Sequence, residues 1–397
     1  MPRNRLSPEA LTRALSLRDL TDPARGRHAM QDLLRDVTAA LEGLWRCSVL
    51  VERRSPVVSV ADNYDRLHYP PEGAARDARY TRYLDEGNLL RTQTSAMIPP
   101  LLVRLAAAPP PDVLLVCPGL VYRRDAIDRL HCGEPHQVDL WRIRLGPPLG
   151  PQDLETMVAA VAAAAAPSRT VRTLPAWHPY TLHGQQIDVA ADGDWVEIGE
   201  CGLASPSLLS ECGLPRMASG LAMGLGLDRL VMLRKGLDDI RLLRAEDPRI
   251  AGQMLDLSPY RPVSRCPPIR RDLSVAVPES SSAEELGDEV REALGERARD
   301  VEAVAVLAES SADALSEAGR ARLGLLPGQK NVLLRVVLRS PERTLTDAEA
   351  NRLRDEVYAA VHQGSVHLWA RGEPPPGFSA APPSAGLRTS SWPSEES

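Results

Sequence analysis

Residues 119–142, GLVYRRDAIDRLHCGEPHQVDLWR, constrain this chain more than any other stretch. An apolar run at 113–116 precedes them and a second at 140–143 follows. Short apolar runs bounded by polar segments predict strands, so the segment predicts two antiparallel strands joined by a long polar loop. A loop of that length between strands is usually functional or disordered. It carries Arg123, Arg124, Asp125, His131, His136, Gln137 and Asp139. An Arg on the first strand, a His in the loop and an acceptor pair on the return strand suit a ligand with a phosphate at one end and an ammonium at the other, as in an amino-acid adenylate. Arg123 and Asp125, two residues apart on a strand, also share a face, and an ordinary surface ion pair accounts for them equally well.

The 397 residues are enough for two or three domains with a sizeable core. The net charge of −6 does not advertise a nucleic-acid binder, so any RNA contact has to use a local patch. None of the six cysteines forms a C-x-x-C pair, which argues against zinc. The N-terminus is polar and no apolar run approaches membrane-span length, so a cytoplasmic protein with reduced thiols and no membrane partner is expected.

Residues 1–46 predict helices, with starts at Ser7-Pro8-Glu9 and Asp22-Pro23. Met30, Leu33, Leu34, Val37, Leu41 and Leu44 recur at helical spacing. From 47 to 62 the pattern turns to strand, with Val49, Val51, Val57, Val58 and Val60. A helix opens at Pro99-Pro100, where prolines are tolerated. Residues 151–166 are an Ala-rich helix. Residues 178–189 and 195–209 alternate as strands with one face on a site. Residues 220–234 pass from glycines into an apolar helical pattern. That turn can bring backbone and a helix dipole to an anion, although tight packing of a buried helix explains it as well. A linker is expected over 244–262. Beyond it, strands at 271–277, 301–307, 332–338 and 366–369 alternate with two capped helices. Ser281/Glu284 or Ser282/Glu285 caps the first, and Thr346/Glu349 caps the second. The order is β-α-β-β-α-β, the ferredoxin-like arrangement. Residues 373–397 are rich in Pro, Ser, Gly and Ala and predict disorder.

Four stretches carry a resemblance: LLRTQTS (89–95), VYRRDAIDRLHCGEPHQVD (121–139), GLGLDRLVML (224–233) and PPIRRDLSVAV (267–277). In this order they resemble phenylalanyl-tRNA synthetase in its single-chain, mitochondrial form, over most of residues 15–370. The resemblance implies an α+β protein: a class II aminoacyl-tRNA synthetase antiparallel-sheet catalytic core and a C-terminal ferredoxin-like anticodon-binding domain. The expected division is an N-terminal helical segment 1–46, a core 47–243, a linker 244–262, the ferredoxin-fold domain 263–372 and a tail 373–397. It implies ATP as substrate, Mg²⁺, an amino acid and tRNA as partners, and a monomer or homodimer. Residue by residue, it places Arg123 on the α-phosphate and Asp125 near the adenine. His131 falls near the ATP phosphates, Arg229 on the γ-phosphate, and Glu197 near metal and nucleotide. Gln137, Asp139 and Ser95 surround the amino acid's ammonium. Carboxylate attack on the α-phosphate adds charge to its oxygens, which a bidentate Arg and a cation stabilise without proton transfer.

The departures gather in the amino-acid pocket. Where the family has Phe-Pro-Phe-Thr, whose two rings pack on the substrate ring, this chain has His178-Pro179-Tyr180-Thr181. The family's HTS is Gln93-Thr94-Ser95, a glycine before Cys201 is Glu200, and Asp139 shortens a Glu. A polar pocket disfavours phenylalanine, so an altered, polar substrate is expected, against the alternative that His178 and Tyr180 turn their polar ends to water. Candidate RNA contacts are Arg265, Arg270, Arg271, Arg335 and Arg339, which serve equally as solvated surface. Two other readings stand beside a translational synthetase: a paralogue feeding a biosynthetic pathway, and a non-catalytic tRNA-binding protein.

Overall fold

A computed structural model describes residues 5–367 apart from 79, 125, 192, 264 and 265. The first helix, α1 (Pro8–Ser16), starts as predicted: the Ser7 side chain accepts from the Ala10 N–H. In α2 (Ala29–Trp45) the predicted stripe is buried from Met30 to Leu41. Leu44 is 42% exposed, because Arg46 in the left-handed region ends the helix before that turn meets the core.

Then come β1 (Ser48–Val51) and β2 (Val57–Ser59). Val60 begins α3 (Val60–Asn63) rather than extending the strand, because Ser59 caps the Asp62 N–H. β3 (Asn88–Leu90) pairs with β2 in a separate ribbon. After α4 (Ile98–Ala106) the main sheet forms from β4 (Asp112–Leu120), β5 (His136–Leu145), β6 (Val171–Pro175), β7 (Thr181–Ala191), β8 (Asp194–Ala204) and β9 (Ala218–Gly226), with β1 on one edge. Between these run α5 (Pro151–Ala165) and α6 (Pro206–Glu211), and α7 (Leu227–Lys235) follows β9. The order is β1-β4-β5-β9-β8-β7-β6, antiparallel at every pairing except β1 on β4.

Strand alternation sorts the sheet's residues into two faces. Val138, Leu140, Leu221, Met223 and Leu225 pack on α2, α5 and α7. Val113, Leu115, Cys117, Trp141, Ile143 and Ala222 pack on α4 and α6. Each fully buried Leu or Val contributes about 1.5–3 kcal/mol. The first layer covers that face of the central strands, and the second leaves them open further along the other face.

The stretch expected as a linker is folded: α8 (Pro248–Ala251) and the turn after it bury Ile250 and Met254 in the core of the large sheet. A second unit follows with β10 (Ile269–Pro278), α9 (Ala283–Leu294), β11 (Val301–Ser310), α10 (Glu317–Leu323), β12 (Gln329–Leu338) and α11 (Asp347–Val361). Both capping boxes form, at Ser282/Glu285 and Thr346/Glu349. The sheet order β10-β12-β11 is antiparallel and leaves the outer edge of β10 for a fourth strand. After α11 the Gln363 N–H donates to Ala276 O on that edge. Val366 is not in a strand, and Trp369 lies outside the described residues, as does the predicted tail. α10 adds a helix to the expected β-α-β-β-α-β order.

The loop between β4 and β5 is wedged between the units. Ile127 joins the second unit's core, and its carbonyl accepts from the Val304 N–H. Asp288 of α9 takes Arg82 at 2.8 Å and Arg124 at 3.3 Å, and Arg82 also donates to Glu134. Removing one member of a buried ion network leaves the others uncompensated and costs about 3–5 kcal/mol. Asp288→Ala is therefore expected to lower Tm and to speed amide hydrogen exchange in residues 123–127 and 283–294, read by mass spectrometry. The buried His28 ring gives a pH-dependent counterpart. It accepts from the Met30 N–H and donates to Leu243 O, and burial pushes its pKa from 6.5 down to about 4. The unfolded chain therefore binds this proton first, so stability is intact above about 6.5 and is lost as pH falls toward 4, by up to about 3 kcal/mol. His28→Asn, which keeps a capping acceptor, is expected to flatten that part of the Tm-versus-pH curve.

Candidate active site

The open face of the sheet is organised in cross-strand rows. Cys117, Asp139, Gly224 and Glu200 lie in one row across β4, β5, β9 and β8. Leu115, Trp141, Ala222 and Gly202 form the next, and Gly119, Gln137 and Gly226 another. The middle of the floor thus carries almost no side chain. A Cβ built on Gly224 would meet only Asp139 Oδ2, at 3.9 Å. The space above it belongs to a cavity of about 370 Å³. Gln93, Ser95, Arg123, His131, Gln137, Asp139, His178, Tyr180, Glu197, Glu200 and Arg229 all line it, so the structure brings together every candidate site residue except Asp125, which lies outside the described residues.

At one end stand the cations. Arg123 is not on the first strand as expected: β4 stops at Leu120, and Arg123 follows in an extended return whose N–H donates to Gly133 O. Its Nε donates to Thr92 O at 2.7 Å. Arg229 sits in the first turn of α7, and its Nη2 lies 2.9 Å from His131 Nε2. A guanidinium only donates, so His131 accepts at Nε2, carries its proton on Nδ1 and donates it to Asp128 at 2.7 Å. Arg229 also donates to Glu197 O at 3.1 Å.

At the other end Asp139 is 3% exposed. Thr94 Oγ1 donates to it at 2.7 Å, Ser95 Oγ at 2.9 Å and Trp141 Nε1 at 3.0 Å. Among the described residues no cation pairs with it. Burial raises its pKa, and the three donors oppose the rise only in part. Gln93 is occupied in building the wall, accepting from Tyr69 Oη at 3.0 Å and donating to Asn63 O at 3.1 Å. Tyr180 stacks on Trp141, with His178 and Tyr69 tilted against it. His178 Nδ1 lies 3.1 Å from Thr181 Oγ1, and its Nε2 lies 2.8 Å from Glu200 Oε2.

Sequence reasoning assigned no role to His136 and Asp228. Leu20 N–H donates to His136 Nε2, so His136 carries its proton on Nδ1 and gives it to Asp228 Oδ1 at 3.1 Å. Asp228 also takes the His136 backbone N–H. Burial alone would raise the Asp228 pKa, but His136 and Arg244 hold it low. This pair fastens the start of β5 to the start of α7, and so sets Gln137 and Asp139 against Arg229. Both residues lie inside the quoted motifs, which was the available signal. Trp141 was legible too, two residues beyond Asp139 on the same face, whereas nothing local marks Tyr69.

The arginines proposed for RNA contact are largely engaged. Arg335 pairs with Asp272, Arg271 with Asp347 and Arg339 with Glu302. Arg265 lies outside the described residues.

The model of the tRNA synthetases class II core domain (F) matches residues 19–254, and that of the ferredoxin-fold anticodon binding domain matches 264–367. Three similar proteins are named phenylalanine–tRNA ligase alpha subunit, all from Prochlorococcus marinus. The NATL2A protein is 38% identical over 192 residues, 48% of this chain and 56% of its own length. The MIT 9313 protein is 36% identical over 241 residues, 59% of this chain and 69% of its own. The MIT 9312 protein is 31% identical over 262 residues, 63% and 72%. This chain thus spans a little over half of the first of them. Its core model alone covers more than half of the chain, and the chain belongs to the class II tRNA synthetase core family of the F type, with a ferredoxin-fold anticodon-binding domain behind it.

Proposed function

We propose that this chain activates an amino acid with ATP and transfers it to tRNA; the relatives named phenylalanine–tRNA ligase alpha subunit support that reading. The observation that carries the reading is Asp139: a buried carboxylate fixed by three donors, without a cation among the described residues, and opening into the cavity that also holds Arg123 and Arg229. An α-ammonium is the group that completes it. Gln137 and Ser95 supply further polar contacts on that side, and Gln93 holds the wall.

With the ammonium at Asp139, the substrate carboxylate points along the floor toward Arg123. Attack on the α-phosphorus concentrates negative charge on its oxygens, and the Arg123 guanidinium, held by Thr92 O, is placed to take it. Arg229, steadied by His131 and Asp128, suits the distal phosphates. Asp125 is proposed for the adenine side. Among the described residues no three metal-ligating side chains gather into a cage. Mg²⁺ commonly rides on substrate phosphates with one or two carboxylates, and Glu197 on the cavity lining is a donor of that kind. When bound with ATP, Mg²⁺ neutralises phosphate charge. Transfer to a tRNA hydroxyl mainly requires positioning. We place the protein in the cytoplasm, as a monomer or homodimer; no described helix is long and apolar enough to cross a membrane.

One observation favours the second reading, an aminoacyl adenylate made for a biosynthetic pathway. In residues 263–367 acidic residues outnumber basic ones, and three of the five arginines offered to RNA sit in ion pairs. ATP–pyrophosphate exchange followed by tRNA charging separates the two: exchange without charging supports the second. Arg123→Ala is expected to lower exchange by about 10²-fold or more, with only a small loss of Tm from the hydrogen bond to Thr92 O. Asp139→Asn separates stability from function. Because the folded pKa of Asp139 is raised, its ionised form costs stability above that pKa, and the cost disappears as pH falls through it. At neutral pH the variant is therefore expected to keep or raise Tm while losing amino-acid activation, measured by thermal unfolding and exchange. A large loss of Tm with normal exchange would contradict the assignment.

A further inference from the structure

We infer that the far end of the cavity selects an amino acid whose side chain ends in a hydrogen-bond donor, an amine or a hydroxyl, and that Glu200 is the residue that accepts it. This deepens the amino-acid-activating reading and rests on it.

The first support is placement. Glu200 shares a cross-strand row with Asp139, with only Gly224 between them. At the usual strand spacing the two backbones stand about 10 Å apart across a bare floor. A substrate whose ammonium completes Asp139 therefore directs its side chain toward Glu200. The Glu200 side chain is 46% exposed and faces the cavity, so it keeps lone pairs for a ligand. A carboxylate group offers acceptors, and a donor on the substrate is its complement.

The second support is His178, 7% exposed. Its Nε2 is buried without hydrogen-bond geometry to any partner, although Glu200 Oε2 lies at 2.8 Å. The pair ties one Glu200 oxygen to the wall, and a plain benzyl side chain would cover the carboxylate without giving it a further donor. Sites built to bond a substrate OH or NH reject the analogue lacking it by about 10⁴–10⁵-fold.

The third is the aromatic wall. The His178 and Tyr180 centroids stand 6.0 Å apart at 36°, and Tyr180 already stacks on Trp141 at 6.0 Å. A ring inserted face-on between His178 and Tyr180 would need about 7 Å, two contacts of roughly 3.5 Å. The cluster is closed on itself and offers a side chain a flank, with the polar groups at its end.

The test measures kcat and KM for pyrophosphate exchange with phenylalanine, tyrosine, 4-aminophenylalanine, 4-aminomethylphenylalanine and lysine, beside calorimetric binding of each amino acid without ATP. The wild type is expected to prefer a donor-bearing side chain over phenylalanine by at least 10²-fold in kcat/KM, the arms showing whether amine or hydroxyl is favoured. Glu200→Gly, and the isosteric Glu200→Gln should the first fold poorly, are expected to cut that preference at least tenfold, mostly through KM. Phenylalanine as the best substrate, or a preference unchanged in both variants, overturns the inference. Donor-selective binding without exchange supports it while refuting adenylation, and no binding or exchange with any probe refutes both.

Discussion

The burial of one carboxylate, Asp139, sets the terms for the rest of the site. A charged group removed from water is costly unless hydrogen-bonded and paired, and this one has donors but, among the described residues, no cation. Its donors reach it from two places, the turn after β3 and its own strand. The turn is held by the Arg91 guanidinium, which donates to Leu120 O at the end of β4. The sheet can bear the unfavourable group because its opposite face is sealed by α2, α5 and α7. Stability is thereby given up at the position where we propose that the substrate ammonium binds.

The two ends of the cavity are kept in register by a second buried pair. His136 and Asp228 join β5 to α7, and from adjacent positions on those elements Gln137 and Arg229 reach the same space. The loop that supplies Arg123 and His131 is in turn gripped from outside by Asp288 and Arg291 of the second unit, the latter donating to Ala126 O. The groups proposed to face the phosphates therefore depend on contacts from a domain that does not line the cavity. Disturbance of that docking reaches Arg123 through two residues of backbone.

Local rules were readable where local physics decides. Ser7, Ser282 and Thr346 cap helices as their side chains dictate, and the two strands flanking the long loop pair antiparallel as β4 and β5. The reading failed where a distant or competing contact decides. Val60 has the composition of a strand, yet the Ser59 hydroxyl turns it into a helix. Proline and charge made 244–262 look like a linker, while Ile250 and Met254 fill a pocket in a core assembled from much earlier residues. Arg123 was placed on a strand that ends three residues sooner, since Arg91 and Thr92 capture the chain there. The residues that line the cavity were legible through motif resemblance; their pairing was not. Thr94 with Asp139 and His178 with Glu200 join residues that no periodicity connects.

The most direct test of the account is the titration of Asp139 itself. Carboxyl ¹³C resonances of aspartate-labelled protein, with Asp139 assigned by its asparagine variant, report the pKa with and without the amino acid the protein activates. The account predicts a value above the ordinary aspartate value of about 3.9 in the free protein, and a fall below it when the ammonium binds. An ordinary value that the amino acid leaves unmoved would contradict it.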